Sequence, residues 1–126
     1  MTVRTILLLA LLTTAGGQAA MAQSAGSDGE RLFRTRCASC HSIEPGQNRI
    51  GPPLAGVFGR TAGSVAGARY SEVLRSSGLT WNEETLNTYL ANPRQALPGT
   101  TMTVGLSNAE QRNAIIAYLR DLPAKN

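Results

Sequence analysis

A chain of 126 residues, 42% apolar and 16% charged, with a formal net charge of +4, has room for one domain and a modest core. Its cations are arginines save Lys125, and their surplus is too small for a nucleic-acid-binding surface. Two cysteines and one histidine are too few strong ligands for a closed zinc site.

Arg4 precedes the apolar run Thr5-Ile6-Leu7-Leu8-Leu9-Ala10-Leu11-Leu12, and Ala20-Met21-Ala22 has the small-x-small form of a cleavage site. The run is shorter than the roughly 20 residues that span a bilayer. Residues 1–22 therefore read as a secretory signal peptide, and the mature chain as residues 23–126. No other stretch is apolar enough to cross a membrane. Without Arg4, 11 basic side chains face 8 acidic ones, a formal +3.

After a flexible start over 23–27, Ser27 and Glu30 form a capping box that opens a helix from about Asp28 to Arg36. Gly29 weakens that helix, which a close crossing with another helix would explain. Cys37-Ala38-Ser39-Cys40-His41 follows. Two cysteines two residues apart with histidine next form an attachment site for c-type haem. One turn presents both sulfurs to the two vinyl groups of the porphyrin, and His41 offers Nε2 to the iron. A redox dithiol would sit beside a βαβ pattern, and none is present; a plain disulfide leaves His41 unexplained. Covalent attachment needs the thiols reduced when haem arrives, so a ligation system must act on the exported chain. Together with the signal peptide, this points to the bacterial periplasm as the expected compartment. Two ionised propionates would bring the holoprotein to about +1 reduced and +2 oxidised.

Residues 42–69 are rich in glycine and proline, with interspersed apolar residues and no helical period, which predicts ordered loop. Gly51-Pro52-Pro53-Leu54 is rigid and extended, suited to place a carbonyl against the Nδ1–H of His41. Tyr70 to Ser76 reads as a short helix ending before Gly78. Thr80 with Glu83 forms a second capping box, opening a helix over Asn82 to Ala91 that Pro93 stops. The N–H of Trp81 and the O–H of Tyr70 are candidates to reach a propionate, or any other polar partner. Leu97-Pro98-Gly99-Thr100-Thr101-Met102 is a turn leading to the only methionine of the mature chain. If the iron has a sixth protein ligand of the usual kind, Met102 supplies it, and neutral sulfur raises the potential. The alternative is Met102 as core filler above an open iron. Ser107 with Glu110 caps a last helix to about Asp121, with Ile115, Tyr118, Leu119 and Leu122 on one face.

These motifs, with Gly59-Arg60, Gly78-Leu79-Thr80-Trp81, Tyr89-Leu90-x-x-Pro93 and Ala117-Tyr118-Leu119, resemble in order and spacing the class I cytochromes c, mitochondrial and bacterial periplasmic. The resemblance covers essentially the whole mature chain. It implies an all-α fold of about four to five helices and Gly/Pro-rich loops around one covalent haem c. It implies that Gly29 and Phe33 cross the last helix near Tyr118, and that Pro52 accepts from His41. Arg60, Tyr70 and Trp81 match positions that tie down the propionates. Tyr89 and Thr100 match positions near the methionine sulfur and the buried haem edge. The chain departs from the family at Thr101, often lysine there, at Leu74, often asparagine, and at Val104, often aromatic. The lysine-rich docking face is thin, with Arg36 and Arg94 its clearest cations.

The implied function is that of a soluble periplasmic one-electron carrier, not an enzyme. Metal ligands would be His41 and Met102, and Cys37 and Cys40 would hold the haem covalently. It would be a monomer without nucleic acid or membrane span, meeting redox partner proteins transiently at the exposed haem edge. Two rivals stand beside it: a haem c subunit of a larger periplasmic oxidoreductase, and a haem enzyme or sensor with displaceable Met102.

Overall fold

Apolar residues three and four apart on the third and last helices, and the adjacent Leu32 and Phe33 on the first, need a common interior, and they find it in one another. In the computed structural model, which describes residues 28–124, α1 covers 28–36. It is followed by α2 (Glu72–Arg75), α3 (Glu83–Ala91), α4 (Pro93–Ala96) and α5 (Ala109–Asp121). The all-α expectation holds: no strand occurs among the described residues, only an isolated antiparallel bridge between Thr61 and Thr80. No described helix is long and apolar enough to cross a membrane. The expected signal peptide, the Ser27 cap and Lys125 lie outside the described residues.

Leu32 and Phe33 of α1, Leu86, Tyr89 and Leu90 of α3, and Ile115, Ile116 and Leu119 of α5 are buried together. Ile115 and Ile116 are fully enclosed; each contributes on the order of 2 kcal/mol by leaving water. Helix α1 crosses α5 where Gly29 lies against the Ala114 carbonyl and Tyr118. The Phe33 and Tyr118 rings meet one turn further on, with centroids 5.7 Å apart. Between α3 and α5, Arg120 donates to Glu83 at 3.1 Å and lies 5.9 Å from the centre of the Phe58 ring. Both contacts are at the surface, where such pairs contribute well under about 1 kcal/mol.

Two helix starts differ from the expected caps. For α3 the capping box is Asn82 with Thr85, not Thr80 with Glu83. Thr80 is held extended by the bridge to Thr61, so the chain turns helical only after Asn82. For α5 the cap is Asn108, whose side chain accepts from the Gln111 N–H at 3.0 Å, rather than Ser107. Pro93 does end α3, but it also opens α4, a single turn absent from the sequence reading. Proline at the first helical position lacks only an N–H that would have no helical partner, and Asn92 caps the turn. The expected Tyr70–Ser76 helix shortens to α2.

Residues 42–71 form loop, as expected, tied down by backbone bonds. The Gly51 N–H donates to Cys40 O and the Leu54 N–H to Ser42 O, folding the segment back under the cysteine turn. The Gly59 N–H donates to Trp81 O, the Trp81 N–H to Arg60 O and the Ala62 N–H to Leu79 O, joining the loop to the entry of α3.

Candidate functional site

Helix α1 runs straight into the cysteine turn. The amides of Cys37 and Ala38 both donate to Phe33 O, and those of Cys40 and His41 both donate to Cys37 O. This single turn sets the two sulfurs on one side and leaves both thiols free and half-buried. Burial pushes the Cys37 thiol up to about 11, and the neighbouring Cys40 adds to the shift.

The His41 ring is fixed from below. Its Nδ1 lies 2.8 Å from Pro52 O, and since a carbonyl can only accept, Nδ1 carries the proton. The lone pair of the neutral ring is then on Nε2, as a metal ligand requires. Burial lowers the His41 pKa, and the bond to Pro52 only partly opposes this, so the neutral ring is favoured. The approach that allows this bond needs a glycine: a Cβ on Gly51 would sit 2.3 Å from the His41 ring.

His41 faces a cavity of about 490 Å³ with largely apolar walls. All ten residues singled out in the sequence line it: Cys37, Cys40, His41, Pro52, Arg60, Tyr70, Trp81, Tyr89, Thr100 and Met102. Ile115 and Leu119 of α5 and Leu86 and Leu90 of α3 supply further apolar wall. Leu74 of α2 adds more.

One part of the wall is polar. The Arg60 guanidinium donates to Pro53 O at 2.8 Å and to Ala55 O at 3.1 Å, and burial lowers its pKa. The Tyr70 hydroxyl accepts from the Val65 N–H at 3.3 Å, which leaves its own proton to donate. Trp81 is buried with its ring 5.1 Å from that of Tyr89. Ser71, which the sequence reading missed, also lines the cavity; its hydroxyl is buried and meets no partner. Leaving a buried hydroxyl unpaired costs about 1–3 kcal/mol. No motif pointed to Ser71; only its neighbour Tyr70 did.

Elsewhere on the wall, Tyr89 OH and Thr100 Oγ1 pair at 2.6 Å, both buried. Burial raises the Tyr89 pKa, and the bond to Thr100 partly opposes it. Met102 follows two residues after Thr100, half-buried against the core.

The donor set fits haem. A flat apolar group with acidic substituents matches apolar walls that carry a half-buried arginine and a phenol whose own proton is left to donate. Two free thiols one turn apart, an imidazole held in one tautomer and a thioether complete it. A zinc ion would have two sulfurs, one imidazole and no fourth ligand of its usual kind.

The model of the family described as "Cytochrome c" matches residues 26–123. Cytochrome c of Gibberella zeae is 49% identical over 102 residues, covering 77% of this chain and 96% of that protein. Cytochrome c2 iso-2 of Magnetospirillum fulvum is 51% identical over 87 residues, 68% of this chain and 91% of that protein. Cytochrome c of Arabidopsis thaliana is 44% identical over 101 residues, 79% of this chain and 90% of that protein. With the cavity and its donors in agreement, the chain belongs to the cytochrome c family of electron-transfer haem proteins and takes one covalently attached haem c.

Proposed function

We propose that this chain is a soluble periplasmic one-electron carrier. In this reading Cys37 and Cys40 would hold the haem covalently, and His41 and Met102 would ligate its iron. The observation that carries it is that one imidazole and one thioether, the only ones in the mature chain, line the same cavity. Haem supplies a one-electron couple when bound. The chain's own residues do the rest. Pro52 orients His41, Tyr89 and Thr100 fix the approach of Met102, and the apolar walls keep water away. With His41 and Met102 both engaged as ligands, the iron would have no place for a substrate, which suits a carrier rather than an enzyme. Arg60, Tyr70 and Trp81 would hold the acidic substituents.

Two observations support the periplasm. The family match begins at residue 26, leaving Arg4, the apolar run and Ala20-Met21-Ala22 outside it, as a removable leader would be. One relative, cytochrome c2 iso-2, is bacterial.

The test is spectroscopic, on the full-length chain expressed in a bacterial host with haem-ligation machinery and recovered from its periplasm. The haem should stay with the polypeptide after acidic organic extraction. The ferric form should show the far-red sulfur-to-iron band, and the ferrous form should bind carbon monoxide slowly and incompletely. A colourless product, or immediate full binding of carbon monoxide, overturns the reading.

Where electrons would pass, the exposed residues at the cavity mouth are Arg36, Ser39, Ile50, Arg69, Thr101, Thr103 and Val104. Two are cations, none is a carboxylate, and Ile50 is 73% exposed. A mouth with so little charge steers weakly. The rate of reduction by an acidic partner protein should therefore fall only a few-fold from low to high salt in stopped-flow mixing. A fall of orders of magnitude would contradict a weakly charged, monomeric docking face.

A further inference from the structure

The stretch from Thr101 to Gly105, which carries Met102, makes no hydrogen bond with any other described residue. By hydrogen bonds it is a strap held only at its ends. At one end the buried Thr100 hydroxyl pairs with Tyr89 of α3. At the other, the buried Leu106 donates its N–H to Leu90 O of α3 at 2.8 Å. The carbonyls on that side are taken by one residue of α5. Arg112 Nη1 donates to Leu106 O at 2.7 Å and to Ser107 O at 2.8 Å. The same guanidinium donates from Nε to Asn87 Oδ1 on α3 at 2.8 Å. Asn87 in turn donates to Asn113 Oδ1 at 3.4 Å.

Among the described residues Arg112 has no carboxylate partner: the acidic side chains in salt bridges there are Asp28, Glu30 and Glu83, all with other arginines. Its donors are directed at backbone carbonyls and at one amide that fixes the plane of the fork. Both carbonyls accept from the one nitrogen Nη1, whose two N–H groups lie in the plane that the Nε bond to Asn87 fixes, whereas a freely rotating ammonium has no such plane. Helix α3 thus sets both ends of the strap, Tyr89 directly and Asn87 through Arg112.

We propose that Arg112, oriented by Asn87, is a positioning residue that pins the far end of the Met102 strap and so limits how often the thioether leaves the iron. The inference rests on the reading of Met102 as an axial ligand. With the pin gone, five unbonded residues hang from Thr100 and one backbone bond, and the strap lifts more often. Met102 then spends more time away from its position, without any change in the residues that touch the haem.

The test measures the rate at which imidazole binds the ferric holoprotein, a rate limited by release of the native sulfur. Three variants are compared. Arg112→Lys keeps the charge and loses the fork. Asn87→Ala loosens the fork without touching the strap. Arg120→Gln removes the exposed pair with Glu83 between the same two helices. Arg112→Lys and Asn87→Ala should each bind imidazole about tenfold faster, the worth of roughly one charge-assisted hydrogen bond. Hydrogen exchange at the Leu106 amide should quicken in parallel, and Arg120→Gln should match the parent in both. Unchanged rates in the first two variants, with the far-red band of the parent intact, overturn the pin alone. Equal acceleration in all three also overturns it, because general loosening of the α3–α5 contact would then be the cause. A parent without the far-red band that binds imidazole at once overturns the Met102 reading, and this inference with it.

Discussion

Replacing Met102 by leucine is expected to lower the reduction potential by a few tenths of a volt, out of the ~0.8 V over which axial ligands move haem potentials. Leucine is the informative choice because it keeps the volume. Met102 is half-buried against the core, so part of its role is packing. A volume-conserving apolar swap costs under about 1.5 kcal/mol. If Met102 only filled space, the ferric spectrum, the potential and the response to carbon monoxide would all survive. If its sulfur binds the iron, the far-red band disappears and carbon monoxide binds the ferrous protein at once. Stability should fall modestly beside the change in potential, because the Tyr89–Thr100 pair and the Leu106 tether remain to hold the strap. A variant that keeps the potential and the far-red band of the parent would return Met102 to core filler. Spectroelectrochemistry on the purified holoprotein settles it.

What the sequence made legible is what chemistry fixes at short range. Cys37, Cys40 and His41 must lie within one turn to serve one haem, and their backbone bonds to Phe33 and Cys37 show that turn. Pro52 was readable because a proline pair holds the chain extended, and its carbonyl does meet His41. Helix ends were less legible. Thr80-x-x-Glu83 has the letters of a capping box, but Thr80 pairs with Thr61, nineteen residues earlier in the chain, and the cap moves to Asn82. Proline at 93 has two local meanings, stop and start, and the structure uses both. Asn87 carried no signal at all. Its bonds to Arg112 and Asn113 lie across the helix pair, and no local pattern encodes a partner that distant in the chain.

Gly29→Ala should lower stability by roughly 2 kcal/mol, even though alanine is the better helix former by up to about 1 kcal/mol. The two effects oppose, and geometry decides between them. A Cβ at Gly29 would lie 2.2 Å from the Ala114 carbonyl oxygen and 2.7 Å from the Tyr118 Cβ. The first obstacle is backbone in the middle of α5, which no rotamer change can move, and no substitution at Ala114 removes it. Helices α1 and α5 must therefore separate. Their separation strains the Phe33–Tyr118 contact and opens the core around Ile115 and Ile116, now closed to water. It also shifts function-bearing parts, because α1 leads directly into Cys37 while Ile115 and Leu119 of α5 line the cavity. In a domain of this size the loss corresponds to a fall in Tm on the order of 10 °C. Thermal and denaturant unfolding of the ferric holoprotein, followed by far-UV circular dichroism, measures it. A midpoint equal to or above that of the parent would mean that helix propensity outweighs the crossing, and that the two helices are not locked where their backbones meet.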